Sequence, residues 1–354
     1  MNKKFLVFAI ITLGVIVAAG YLAVQRAPQT TVETALLYPH LLDRINDIDR
    51  IEIKTADGQT RILKKADHWV IGNRDDFPAL FSQIRQLVVN LARLKVLEQK
   101  TSNPELYPRL QVEGTQDKPG KSTLLRLQTG DGATLVDLVV GKRREGKTPA
   151  LYVRPVKQAA SLLVTGVLEA DAAPVAWMNK DILSVSADRI RSVSIRHANG
   201  EQILLDRLHV KGKKNLTLHD IPSGQKPKSQ VTLNSYLSLL EEVRLRDARA
   251  RASLKTDGPI DKTVITTFDG LRVTLHHGLL DDHKEQFASF DVSVDEQNGQ
   301  VDAKVRKEAA TLQAKLGHWA YLLPSFKTRM LTRKLADLTM PIPAKKKPNP
   351  AKKK

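Results

Sequence analysis

From Ile48 to Leu63 apolar and polar residues alternate, break off and resume. Ile51 and Ile53 interleave with Arg50, Glu52 and Lys54; Asp57-Gly58 interrupts the run, and Ile62-Leu63 takes it up again. A period of two bounded by turn residues predicts two half-buried strands joined as a hairpin. His68-Trp69-Val70-Ile71 supplies a third short strand. Asp75-Asp76 and Pro78 then mark a helix start, and Phe77, Leu80, Phe81, Ile84, Leu87, Val88, Leu91 and Leu94 recur at steps of three and four. That spacing puts one apolar stripe on a helix, which is expected to lie across the preceding strands. Further on, Leu125-Arg-Leu127 and Leu135 to Val140 flank Gly130-Asp131-Gly132, and Leu151-Tyr-Val-Arg154 follows a basic loop, so an antiparallel meander is predicted. A short apolar helix around Ala159 to Val164 and then Trp177 close this unit. Ahead of it, residues 27–43 read as a polar lead and a small helix with Leu36, Leu37, Leu41 and Leu42 as its apolar positions.

The pattern then occurs again. Ile190, Val193 and Ile195 alternate with Ser192, Ser194 and Arg196, Asn199-Gly200 supplies the turn, and Ile203-Leu204-Leu205 returns. Gly58 and Gly200, Ile51 and Val193, Ile53 and Ile195, and Trp177 and Trp319 all stand at one common displacement. Leu233, Leu237, Leu240 and Val243 echo the helix, and Asp269-Gly270 echoes Asp131-Gly132. Recurrence of order and turn chemistry predicts an internal duplication. The expected fold is therefore α+β, with two tandem lobes side by side at 44–183 and 184–340, each an antiparallel sheet packed by an amphipathic helix.

Residues 1–26 are of another kind. Phe5 to Val24 is an uncharged run of twenty residues after Lys3-Lys4, and at 1.5 Å per residue it spans roughly 30 Å of hydrocarbon. Lysines before the run and none clustered after it place the N-terminus inside and the body outside. A cleaved signal peptide, cut near Ala18-Ala19-Gly20, is the alternative. Either reading puts the body in the periplasm, with an uncleaved single-pass anchor in the inner membrane preferred. At the other end, residues 341–354 hold prolines and six lysines without apolar periodicity, a composition expected to stay disordered.

Charge changes the picture less than its total implies. The chain of 354 residues carries +18, but nine of its 56 basic residues are Lys3, Lys4, Arg26 and the six tail lysines, so the body holds half of that excess. A mildly basic body makes nucleic acid an unexpected partner. No cysteine is present, which removes disulfides, thiolate metal sites, thiol nucleophiles and lipoprotein attachment.

Four features merit inspection as chemistry. Gly141-Lys-Arg-Arg-Glu-Gly-Lys147-Thr148 fits the phosphate-cradling pattern, yet Pro149 and a strand follow it where that chemistry needs a helix, so a hairpin loop is expected. His276-His277 and Asp281-Asp282-His283 have metal-like composition, but adjacent strand residues point to opposite faces, leaving at most one of the first two beside His283. Arg244, Arg246, Arg249, Arg251 and Lys255 form a basic run that, with Lys345 to Lys354, offers contact to anionic lipid or polymer. Trp69, Trp177 and Trp319 read as packing residues. No catalytic, cofactor-binding or metal-binding residue is assigned, and a metal-dependent hydrolase built on the histidines is kept only as an alternative.

Taken together, Ile45-Asn-Asp-Ile-Asp-Arg-Ile-Glu-Ile53, His68-Trp69-Val70, Val96-Leu-Glu98, Asn103-Pro-Glu-Leu-Tyr-Pro-Arg-Leu110 and Val140-Gly-Lys142 ahead of Leu151-Tyr-Val-Arg154 resemble the bacterial family called domain of unknown function 4340. The likeness covers most of Leu36 to Leu183 and, more weakly, the second lobe. It carries over no catalytic residue and implies a single-span envelope protein, accessory to an ABC-type transport or other envelope complex. The expected function is thus a membrane-anchored periplasmic interaction module with an integral-membrane or envelope partner, docking through exposed strand edges. The alternative is a ligand or polyanion binder using an inter-lobe cleft. On this reading Lys147→Ala leaves stability within about 0.5 kcal/mol of the parent; thermal melts with and without ATP check it, and a nucleotide-dependent shift confined to the parent would contradict the hairpin reading.

Overall fold

A computed structural model describes residues 35–343 apart from 115–119, 147, 208–213, 283–284 and 297–299. Phe5–Val24, Lys147, His283 and the Lys345–Lys354 tail lie outside the described residues. The fold is α+β and mostly antiparallel sheet. Among the described residues no helix is long and apolar enough to cross a membrane.

The first sheet has nine strands: β1 (Ile48–Lys54), β2 (Gln59–Lys65), β3 (His68–Ile71), β4 (Phe77–Pro78), β5 (Lys95–Gln99), β6 (Thr123–Thr129), β7 (Thr134–Arg144), β8 (Ala150–Pro155) and β9 (Leu162–Thr165). Their spatial order is β4-β3-β2-β1-β6-β7-β8-β9-β5. Ile51 faces Ile62 and Leu127 across the ladder, and Ile53 faces Thr60 and Leu125, so the alternation read in sequence becomes one fully buried face. The opposite face carries Glu52, Arg126 and Asp137 as a cross-strand charge ladder. Helix α1 (Phe81–Ala92) starts beside β4 at one edge and delivers the chain to β5 at the other, burying Ile84, Leu87, Val88 and Leu91. Burying such side chains contributes about 1.5–3 kcal/mol each. The turn α2 (Tyr107–Leu110) covers Val112 and Val139 on the outer face.

After β10 (Asp181–Leu183), a second sheet is built from β11 (Ile190–Arg196), β12 (Gln202–Asp206), β13 (Thr217–Leu218), β16 (Asp247–Ala250), β17 (Asp261–Thr267), β18 (Leu271–Leu280), β19 (Gln286–Val294) and β20 (Trp319–Leu322), in the order β13-β12-β11-β17-β18-β19-β20-β16. From β12 to β16 this order follows that of β2 to β5, and the register slips after the first residue of both β1 and β11. The turns agree as well, with Thr129 Oγ1 donating to Asp131 and Thr267 Oγ1 to Asp269. Two ribbons complete the strands: β10 with β15 (Val243–Arg244), and β14 (Gln225–Pro227) with β21 (Thr339–Pro341). Helices α3 (Gln230–Asn234), α4 (Ala303–Leu316), α5 (Ser325–Thr332) and α6 (Leu335–Leu338) pack around them.

Several expectations need correction. Ala159–Val164 is not a helix: Leu162–Thr165 is strand β9, held between β8 and β5, because four apolar residues carry too short a period to separate the two states. Leu36–Leu42 forms no helix either; the Leu37 amide donates to Leu94 O and Leu36 bridges Lys95, so this stretch is extended along the β5 edge and then turns. The helix expected at Leu233 to Val243 is only α3 and a 3-10 turn at Ser235–Ser238, and Val243 falls in β15. Trp177 and Trp319 are not equivalent: Trp319 opens β20, whose positional counterpart is β9, whereas Trp177 lies in a 3-10 turn after β9. Helix α4, inserted between β19 and β20, has no counterpart between β8 and β9.

The sheets meet where β4 approaches β16, and the junction is filled. Phe77 stacks edge-on against Trp319 at 4.7 Å between ring centroids and against Tyr321 at 6.5 Å. Arg74 Nε donates to both oxygens of Asp247 at 2.8 Å, while the Asp75 carboxylate accepts from Arg249 Nε at 2.8 Å, the Ala250 amide at 2.9 Å and Ser253 Oγ at 2.9 Å. Asp75 and Asp76 both sit at positive φ, 55° and 64°, at a cost of about 1–3 kcal/mol each. Charge-assisted bonds at about 1.5–3 kcal/mol apiece offset it. Burial by itself would raise the Asp75 pKa; the bonds from Arg249, Ala250 and Ser253 outweigh it and hold the carboxyl below its ordinary value. Its contribution is complete above the unfolded value near pH 4 and is lost as pH falls through the lower folded value. Arg249→Ala should therefore cost about 1.5–3 kcal/mol by denaturant titration, and Asp75→Asn should flatten the acid limb of a melting-temperature profile between about pH 2 and 5; an unchanged acid limb would refute the assignment.

Candidate functional site

Helix α1 does not cover the whole buried face of the first sheet. Between its N-terminal half and the ends of β1 to β4 runs a groove of about 750 Å³. Phe81, Ile84, Arg85 and Val88 come from α1, at the spacing that puts four residues on one helical face. Ile45 and Ile48 come from the entry to β1, and Lys64 and Trp69 are cross-strand partners on β2 and β3. Pro78 and Ala79 close the end nearest the second lobe. Phe81 is 60% exposed although it flanks this apolar trough. An exposed aromatic beside an unfilled apolar surface is an interaction feature rather than a core feature.

A second, polar pocket of about 440 Å³ adjoins, with Lys64 as a shared wall. It adds Arg50, Lys65 and Asp49, and the Thr129-Gly130 turn. Lys64 lies 3.7 Å from Asp49, and Lys65 pairs with Asp76. Arg50 and Arg85 form no ion pair among the described residues.

The sequence-derived candidates fall elsewhere. Gly141 to Arg144 belong to β7, which turns back into antiparallel β8, so the phosphate-cradle pattern joins two strands and presents no helix terminus. His276 Nε2 lies 2.9 Å from Asp291, a carboxylate shared with Arg251 at 2.7 Å, whereas His277 is buried on the other face of β18. Burial lowers the pKa of both histidines, and Asp291 partly counters this at His276. Asp281 accepts the Glu285 amide, and Asp282 lies 3.9 Å from Lys255. Among the described residues no three His, Asp or Glu side chains converge as a metal site. Ser289 faces His276 across the ladder, but the side chain is fully buried and cannot reach a substrate as a nucleophile.

The basic run is divided: Arg249 with Asp75 and Arg251 with Asp291 are partly buried pairs, whereas Arg244 beside Asp181 and Lys255 beside Asp282 stand exposed. At the ends of the two large sheets, residues 35–37 cover β5, β4 and β16 face each other at the junction, and the two-residue β13 is open; the ribbons β10–β15 and β14–β21 pair with no further strand among those described. Trp177 is a packing residue, its Nε1 donating to Asp171 O at 2.8 Å. Trp69 is not simply one, since it lines the groove. The groove was missed in sequence because its walls come from five separate elements; the exposed position of Phe81 at the helix start was the one local signal.

A model of the family described as Domain of unknown function (DUF4340) matches residues 69–263. The chain belongs to the DUF4340 family. The matched region opens at Trp69, in the groove, and runs through α1 and β16 into β17; the junction residues Trp319 and Tyr321 lie beyond it. No curated protein matches the chain.

The groove and the core make separable demands on this DUF4340 protein. Phe81→Ala should leave stability within about 0.5 kcal/mol, whereas Ile84→Ala, removing a buried side chain from the same helix, should cost about 2–5 kcal/mol. Chemical denaturation of the two variants measures the contrast, and equal losses would mean that Phe81 serves packing.

Proposed function

We propose that this DUF4340 protein is a membrane-anchored periplasmic binding module, without catalytic chemistry of its own, that serves an ABC-type transport or other envelope assembly through the groove beside α1. The observation that carries the reading is the open apolar trough flanked by Phe81 and Trp69. The anchor is Phe5–Val24. Eight residues separate Arg26 from Ala35, where the described fold begins at the β5 edge, and eight residues reach at most about 29 Å. An anchored body is thereby confined to the membrane surface. The Lys345–Lys354 tail would add contact to anionic lipid or polymer. We also read the two sheets as copies of one unit, on their shared strand order, the matching slips after Ile48 and Ile190, and the matching Thr-Asp turns.

Membrane fractionation and crosslinking test this. The full chain should resist alkaline extraction of membranes, and a chain lacking residues 1–26 should be released. A photoreactive benzoylphenylalanine replacing Phe81 should yield a defined adduct in membranes, while the same group replacing Val231, 81% exposed on the second lobe, should not. Adducts equal at both positions, or none at Phe81, would refute the groove as a recognition site.

A further inference from the structure

We propose that His197 is a proton-operated clasp, a doubly protonated imidazole that pins the segment at 333–341 to the second sheet and loosens it when a proton leaves. The inference is independent of the groove.

His197 is the first residue past β11, on the core face that Val193 and Ile195 share. Its ring is buried between two groups that can only accept. Nδ1 lies 2.9 Å from Asp261 Oδ2, and Nε2 lies 2.8 Å from the carbonyl oxygen of Arg333. A neutral imidazole carries one N–H and can answer only one of them; both bonds together require a hydrogen on each nitrogen. Asp261 supplies the countercharge and is itself fixed, since its other oxygen accepts the Ala198 amide at 2.9 Å. When a proton leaves, the carboxylate, as the stronger acceptor, keeps the N–H at Nδ1. Nε2 then presents a lone pair to Arg333 O, and an attraction becomes a repulsion.

The charged neighbours leave the switching to this ring. Glu201 is engaged by the Leu335 amide at 2.9 Å. On β18, His277 stands opposite Asp261; burial lowers its pKa, Asp261 partly opposing that, and its Nε2 has no hydrogen-bond partner among the described residues. The C-terminal segment brings Arg333, whose guanidinium acts on the buried Tyr236, together with Lys334 and Asp337, the Asp337 carboxylate accepting the Lys334 amide at 3.0 Å. Burial pushes Tyr236 up to about 12, far above the range in which imidazole titrates. Arg196, Lys262 and His276 are in register with one another on the opposite face of the sheet.

Arg333 links α5 to α6, and α6 leads into β21, whose pairing with β14 precedes residues 345–354 in the sequence. Two bonds seat that link on the turn at 197–201: Arg333 O on His197 and the Leu335 amide on Glu201. Losing the first weakens the seat without unravelling the strands behind it. The bond is complete on the acid side and is lost as pH rises through the titration of the ring, and histidine is the side chain that changes charge between about pH 5 and 8.

Hydrogen exchange on the full chain in nanodiscs, corrected for the intrinsic rate at each pH, tests this. From about pH 5.5 to about pH 8 the protection of amides 334–340 should fall about tenfold, while β11 and β17 keep theirs. His197→Gln places a permanent donor where Nε2 stands and should abolish the pH dependence; His197→Asn is too short to reach and should leave protection low at every pH. Histidine nitrogen resonances, with His197 assigned by its loss in the glutamine variant, should show both ring nitrogens protonated wherever the segment is protected. A singly protonated ring beside a protected segment, or an equal fall in the glutamine variant, would overturn the clasp. Should neither variant melt cooperatively, the parent decides by itself: protection that ignores pH, or that falls throughout the second lobe, overturns the proposal, and a fall confined to 334–340 supports it.

Discussion

The contact on which the rest of this molecule depends is the junction between β4 and β16. There Phe77 enters a ring cluster with Trp319 and Tyr321, and two ion pairs of opposite sense, Arg74–Asp247 and Asp75–Arg249, close over it. Four residues after Phe77 the chain begins α1. Its start is tied to the same region, since the Leu80 amide donates to Trp177 O at 2.7 Å and Ala79 bridges Met178. The junction thus positions the helix end, and the helix end forms one wall of the groove. A buried core continuous beneath both large sheets follows from the same arrangement.

Electrostatics in this protein serve the fold more than the surface. A body with a net positive charge would repel itself if all its arginines stood free, and several are held by carboxylates: Arg126 with Asp137, Arg189 with Glu308, Arg251 with Asp291. Individually, partly exposed pairs contribute about 0–1 kcal/mol. Lys327 shows the other extreme. It is 4% exposed, and its ammonium donates to the carbonyls of Ser238, Leu239 and Glu241 at the end of a helical turn, where the Glu241 amide also reaches Ser238 O. Burial lowers its pKa, the acids Glu241 and Glu242 opposing that shift.

Much of the architecture was legible from local pattern. The strands at Ile48–Lys54, Gln59–Lys65 and Ile190–Arg196 alternate cleanly because one face of each is buried, and α1 shows its stripe because a helix on a sheet buries one side. Where both faces are occupied or the segment is short, the pattern fades: the four residues of β9 fit a helix as well as a strand. Helix α4 went unread because its apolar positions, Val305, Ala309 and Leu316, are few and small among lysines and a glutamate. The histidine cluster failed for another reason. Contiguous residues on a strand cannot converge, so composition suggested a site that alternation dismantled.

By itself, the order of residues determined which segments are strands, which faces they bury, the family of the chain, and the apolar run at Phe5–Val24, for these depend on neighbours within a turn or a pleat. Only the tertiary structure decided what meets across the chain. Asp75 finds Arg249 from 174 residues away, β5 joins β9 at the far edge of the first sheet, and Trp69, Phe81 and Ile48 become walls of one groove. Such contacts follow from how sheets twist and which edges are left to be covered, quantities set by the assembled backbone and by no local run of residues.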